Sequence, residues 1–475
     1  MSRIAAIVLA AMAAMLALDA RAAGGLPPDF AAALARAGVQ PQQVSVWFGE
    51  ATSTEARFHW LPETPRNPAS VLKVITTAQA LAQLGPGYRW TTRVWSEGPV
   101  RDGVLRGRLV IEGGGDPKLR RDDLRSLFEQ VRASGIRQVE GDIVLDRSRF
   151  ALPPHEPGAF DAQPQRAYNV GADALLLNFA ALSVNVRADP GADAVQAWLE
   201  PPLDGVRLDN RLALADGICG DWRLRPLMKL EPASDGGARV QLDGRMPTAC
   251  DDASIDIAPF SGPEFSRRLV AQTWREVGGR LRGGVVDGRV GYGLRRLAEW
   301  RSPPLADALR DINRFSNNVM AEQLWLTTAG ETRGWPATRE QAVATTGDWL
   351  RSIDAWDEAT LIDSGSGLSR RTRVTATQLA RVLRQAAQSP YLAEFASSLP
   401  IAGSDGTAKR LPVQAHARLK TGSLNGVRAA AGYVRDSHGH WLSLVLLLED
   451  APADGWRELL GWTVDWAAST DGLVP

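Results

Sequence analysis

The chain has 475 residues, 44% of them hydrophobic, which is enough for a full core and more than one domain. Its 54 basic and 54 acidic residues cancel, so no charge excess directs it to nucleic acid or an anionic membrane surface. Histidine is sparse and scattered, there is no C-x-x-C pattern, and no metal or other cofactor is expected.

The first segment reads as a secretory leader. Arg3 supplies the charge, Ile4 to Leu18 is apolar, and Ala20-Arg21-Ala22 forms a cleavage site ahead of Ala23. Residues 1–22 are therefore expected to be removed and the mature chain to be exported to the periplasm, with no transmembrane segment. Pro68 to Leu84 has a helical pattern, with Asn67 as a cap and Pro68 in the first turn. It carries Ser70-Val71-Leu72-Lys73, and Gly85-Pro86-Gly87 ends it. Trp90 to Trp95, Leu105 to Glu112 and Gly141 to Asp146 read as strands, with a turn at Gly113 to Pro117. Residues 190–260 are rich in turn signals and hold both cysteines, Cys219 and Cys250. In an oxidising compartment these two are expected to form a disulfide, the alternative being two free buried thiols. Closing that loop is worth roughly 3 to 4 kcal/mol on the chain-entropy model.

Helices are expected at Pro263 to Val277, Leu305 to Leu326, Gly334 to Ile353 and Thr375 to Gln388. The second of them carries Ser316-Asn317-Asn318. Lys420-Thr421-Gly422-Ser423 lies between strand patterns at Gln414 to Leu419 and Ala429 to Val434. Trp441 to Leu448 is a last strand and Gly455 to Ala468 a closing helix.

The three motifs suit serine acyl transfer. Residues i and i+3 share a helix face, so Lys73 can reach Ser70 and take its proton when neutral. Burial and a second cation, Lys420, would both lower its pKa. Ser316 can relay a proton to a leaving amine, and Asn318 can orient Lys73 or a substrate amide. Lys420 and Thr421 offer a carboxylate anchor, and Gly422 allows close backbone approach. The amides of Ser70 and Ser423 would form an oxyanion hole. Each motif alone is common in structural settings; their order and the leader together point to a site.

These motifs are those of penicillin-binding proteins and serine β-lactamases. Gly85 to Thr92, Gly113 to Pro117, Gly141 to Asp146, Ala321 to Leu324, Asp363 to Arg370, Asp405 to Thr407 and Ala431 to Val434 extend the match. The chain resembles the D-alanyl-D-alanine carboxypeptidase/endopeptidase family, the class C low-molecular-mass penicillin-binding proteins. The resemblance implies an α/β transpeptidase-like sandwich with large β-rich inserted domains after the nucleophile helix. The expected division is 23–95 plus 286–475 for the catalytic domain and 96–285 for the insertion, with a nested insert at about 190–260. It implies an acyl-Ser70 intermediate, peptidoglycan stem peptides as substrates and acylation by β-lactams. By position, Arg370 would grip the carboxylate of a zwitterionic D-centre and Asp146 its amine. Two other readings are a serine β-lactamase, which the long insertion and the lack of a placeable deacylating Glu disfavour, and a silent cell-wall binding or assembly protein. A histidine-based hydrolase has no G-x-S-x-G motif to rest on.

Overall fold

A computed structural model describes residues 26–469, apart from 221, 223, 251, 453 and 454. The leader expected over 1–22 lies outside the described residues. Among the described residues no helix is long and apolar enough to cross a membrane.

The two ends of the chain build one five-stranded antiparallel sheet. Its order is Ala417–Leu424, Val427–Arg435, Trp441–Glu449, Val44–Glu50 and Phe58–Trp60. Alternate side chains leave opposite faces of a strand, and here both faces are covered. Val44, Val46, Phe48, Leu444 and Leu446 pack on one side with helices Pro28–Arg36 and Trp456–Ser469. Phe30, Phe48 and Phe58 close around Trp466 there, with ring centroids 5.0–5.6 Å apart. Trp47, Val445, Leu447, Ala431 and Tyr433 face the other side, against the helices Leu72–Leu84, Asn318–Arg333 and Ala376–Gln388. This explains why the last two strands are nearly continuous apolar runs: neither face meets water.

The remaining chain leaves after helix Leu72–Leu84 and returns before Leu305. It holds a mixed sheet of Val285–Gly288, Ile143–Asp146, Arg108–Glu112, Thr91–Glu97 and Arg295–Arg301, one four-stranded sheet and two three-stranded ones. Helices Arg121–Ala133 and Gly262–Glu276 pack in its core, where Phe128 and Trp274 meet edge to face at 5.2 Å. Thr91–Glu97 and Arg295–Arg301 pair with each other within this sheet. This sheet therefore joins chain from Thr91 to Arg301. The turn-rich stretch forms strands Ala194–Glu200, Val206–Ala215, Met228–Pro232, Ala238–Pro247 and Ala253–Ile257, and Cys219 is bonded to Cys250.

Beyond the nucleophile helix, three expected elements change. The helix expected over Leu305 to Leu326 is two helices, Leu305–Arg314 and Asn318–Arg333, because Ser316 at φ +57° interrupts the ladder and Asn317 caps a new start at Met320 N. The helix expected from Gly334 begins at Arg339, where Thr338 supplies a capping box with Gln341. The third motif lies inside strand Ala417–Leu424 rather than between strands.

Candidate active site

Ser70 sits on a single 3₁₀ turn, Ala69–Val71, that feeds helix Leu72–Leu84. The regular helix starts four residues later than its sequence pattern because Ala69 adopts φ +46°. That strain is held by neighbours. Asn67 Oδ1 accepts from Ala69 N at 2.8 Å, and Asn67 Nδ2 donates to Ser369 O at 2.8 Å. Two glycines press on the turn. A Cβ on Gly367 would lie 1.9 Å from Ala69 O, and one on Gly422 would lie 2.7 Å from Pro68 O and 3.0 Å from Ser70 N. Gly422 thus lets the third-motif strand run against the nucleophile backbone.

Lys73 is fully buried one turn on. Its Nζ lies 3.1 Å from Ser70 Oγ and donates to Asn318 Oδ1 at 2.7 Å and to the Ser366 carbonyl at 2.7 Å. Burial, and secondly the charge of Lys420, hold its pKa well below the ordinary lysine value, while Glu322 opposes the shift. A neutral amine in contact with a serine hydroxyl is a general base in place.

Lys420 is also fully buried, and burial pushes its ammonium down to about 7. Its Nζ donates to Ser316 Oγ at 3.0 Å and to the Thr421 carbonyl at 2.6 Å. Because Ser316 Oγ accepts from Lys420, its own O–H is free to point at a substrate atom. Thr421 Oγ1 donates to Thr407 Oγ1 at 2.7 Å. Ser70, Ser316, Thr421, Gly422 and Ser423 line one hollow of about 540 Å³. Asn318 faces a second hollow of about 630 Å³, which Ser366 and Arg370 also line. Lys73 bridges the two, touching Ser70 on one side and Asn318 and Ser366 on the other.

Three groups at this site escaped sequence reasoning. Glu322 is buried and lines the second hollow. Its Oε1 accepts from Gly365 N at 3.0 Å, Ser366 N at 3.1 Å and Ser366 Oγ at 2.8 Å. It therefore fixes the loop whose carbonyl holds Lys73. Its Oε2 has no hydrogen bond and lies 3.7 Å from Arg339 Nη1. The available signal was its spacing, one helical turn beyond Asn318. The others, Phe160 and Tyr168, come from the stretch of the inserted region that follows strand Ile143–Asp146 and has no periodic pattern. Asn318 Nδ2 donates to Tyr168 O at 3.1 Å, so the insertion completes the setting of that side chain.

Glu322→Gln tests the electrostatic link. The carboxylate raises the Lys73 pKa, so removing its charge lowers that pKa further. Acylation falls as pH drops through the Lys73 pKa and the amine takes a proton. The acid limb of acylation by benzylpenicillin is expected to move to lower pH in this variant, read from second-order rate constants across pH.

Arg370 lies on the rim of the second hollow, its Nη1 donating to Asn425 O at 2.9 Å and its guanidinium 4.9 Å from the Phe160 ring centre. Asp146, expected at the substrate amine, stands apart from both hollows. It ends a strand of the inserted sheet, is buried, and lines neither hollow. Its carboxylate accepts from Ser148 N at 2.8 Å and Val290 N at 2.6 Å, so its lone pairs serve a turn. The carboxylates that line the second hollow are Glu156, Glu322 and Asp363.

Residues 29–464 match the model of the D-Ala-D-Ala carboxypeptidase 3 (S13) family. The carboxypeptidase DacB of Mycolicibacterium smegmatis is 30% identical over 82% of this chain and 73% of its own length. The D-alanyl-D-alanine carboxypeptidase of an Actinomadura species is 29% identical over 78% of this chain and 71% of its own. Penicillin binding protein 4 (dacB) from Haemophilus influenzae has a similar fold, with TM-score 0.74 and 21% identity over 94% of this chain and all of that one. With its motifs, its fold and a family match that spans nearly the whole described chain, this protein belongs to the S13 D-Ala-D-Ala carboxypeptidase family.

Proposed function

We propose that this protein is an exported serine D-Ala-D-Ala carboxypeptidase that also cuts peptidoglycan cross-links as a DD-endopeptidase. The observation that carries the reading is the buried amine nitrogen of Lys73, 3.1 Å from Ser70 Oγ and 2.7 Å from Asn318 Oδ1. The curated relatives are named as carboxypeptidases, and the Haemophilus protein has also been solved with a β-lactam bound. The leader read from residues 1–22 supports a periplasmic location.

In this mechanism Ser70 Oγ attacks the carbonyl carbon of the penultimate D-alanine and its proton passes to neutral Lys73. The amides of Ser70 and Ser423 stabilise the oxyanion. As the C–N bond breaks, Ser316 gives its proton to the leaving amine and regains one from Lys420, whose pKa near 7 suits that exchange. In deacylation, water attacks the ester and its proton returns through Ser316 to Lys420. Protonated Lys73 restores the Ser70 hydroxyl. Both lysines end as they began. The same nucleophile opens the β-lactam ring of penicillins, and neither reaction calls for a cofactor or metal.

Thr421 and Lys420 anchor the carboxylate of the departing residue, and the acyl half of the substrate occupies the hollow of Asn318 and Arg370. We take the catalytic unit to be the residues up to about 90 with those from about 302, where Ser302 N bonds Trp90 O. The inserted unit between them supplies Tyr168 and Phe160 to the acyl side.

Release of D-alanine from a stem pentapeptide, and of monomer from a cross-linked dimer, tests the function. Both are expected. Penicillin turnover without action on either substrate would instead indicate a β-lactamase. Arg370→Gln is expected to lower kcat/KM by about tenfold for a stem peptide whose acyl side carries a free carboxylate, the loss of one charge-assisted contact. The same comparison with that carboxylate amidated should show a much smaller loss.

A further inference from the structure

The hollow on the leaving side of Ser70 is larger than one D-alanine requires, and its far wall is cationic. Beyond Thr421 and Thr407 it is lined by Arg428 and Arg457, with Glu458 as the acid among them. Arg428 stands opposite Ser423 in the strand register. Its Nη1 donates to Leu424 O at 2.7 Å and Val427 O at 2.8 Å, which fixes the guanidinium at the hairpin. Arg457 opens helix Trp456–Ser469 and is exposed.

The hollow continues outward. A neighbouring one of about 350 Å³ shares Thr407, Leu411 and Arg457 and adds the exposed Lys409 and Arg410. Among the described residues, the path from the nucleophile thus runs from the carboxylate anchor to four cations set against one carboxylate. The acyl side differs. There Glu156, Glu322 and Asp363 balance Arg339, Arg370 and Arg371. The positive field is therefore specific to the side from which the product departs, and long-range attraction between exposed charges acts there over about a Debye length, ~10 Å at 0.1 M salt.

We propose that this tract is a leaving-side subsite for peptides that bear a carboxylate beyond the one on the scissile residue, so that anionic leaving peptides are favoured over D-alanine. The inference rests on the acyl-transfer reading of Ser70 and deepens it, because a cross-linked stem is such a leaving group.

The test uses three peptides with one acyl half, ending in D-Ala-D-Ala, D-Ala-D-Glu or D-Ala-D-Gln. Glutamine matches glutamate in shape and lacks its charge. The wild-type enzyme is expected to favour the glutamate peptide over the glutamine peptide by about fivefold in kcat/KM, as for two exposed ion pairs. High salt should bring that ratio down. Arg428→Gln with Arg457→Gln should bring it to about one. Lys409→Gln with Arg410→Gln, on exposed positions, should lower it as well and keeps the test open if the hairpin variant misfolds. Equal rates on the charged and neutral peptides, with the D-Ala-D-Ala peptide cleaved, would overturn the subsite alone. A preference that survives in both double variants would do the same. Failure to cleave any of the three peptides, with no penicillin adduct, would overturn the acyl-transfer reading and the subsite with it.

Discussion

A Ser70→Ala protein is expected to form no covalent adduct with benzylpenicillin and to release no D-alanine from a stem peptide. Ser70 Oγ is the hydroxyl that Lys73 reaches, and it lines the hollow that Ser316, Thr421 and Ser423 share. Alanine removes the atom that forms the ester and leaves the surrounding contacts in place. Asn67 holds the turn through Ala69 N, and Lys73 keeps Asn318 and the Ser366 carbonyl. The variant should therefore fold and still bind substrate. Residual labelling would place the nucleophile elsewhere.

Lys73→Ala is expected to lower the rate of acylation by a factor on the order of 10² to 10⁴, the usual contribution of a positioned general base. The measurement is the second-order rate of adduct formation. Lys73→Arg should fare no better, since a guanidinium stays charged and cannot accept the serine proton. The wild-type acylation rate should rise with pH through a value well below the ordinary lysine pKa, because the amine is a base only when neutral. That acid limb should be absent from the alanine variant. An unchanged rate in Lys73→Ala would assign the base to another group.

The site was legible in the sequence where chemistry demands particular residue types. Ser70 with Lys73, Lys73 with Asn318, and Lys420 with Ser316 stand in contact, although 246 positions separate Ser70 from Ser316. The sandwich was implied by the family resemblance; of its sheet, Trp441 to Leu448 was readable as an apolar strand, whereas Val44–Glu50, buried on both faces, offers no alternation to read. Helix Arg121–Ala133 was readable and overlooked, since Leu124, Leu127, Phe128 and Val131 repeat at helical spacing. Other features lay beyond local pattern. The break at Ser316 depends on a positive φ at a residue other than glycine, which tertiary contacts must hold. Asp146 resembled a ligand by position in a motif, yet its carboxylate meets only backbone N–H groups supplied by a loop 144 residues away and by its own turn. Glu322 was visible as a residue but not as a part of the site, because its role depends on the loop Gly365–Ser366 folding back onto helix Asn318–Arg333.

The measurement that tests the central claim most directly is mass spectrometry of the mature protein after exposure to benzylpenicillin, followed by proteolysis and mapping. The account predicts an increment of one penicilloyl group, carried on the peptide that contains Ser70. An adduct mapped to any other residue, or none at all on a folded protein, would contradict it.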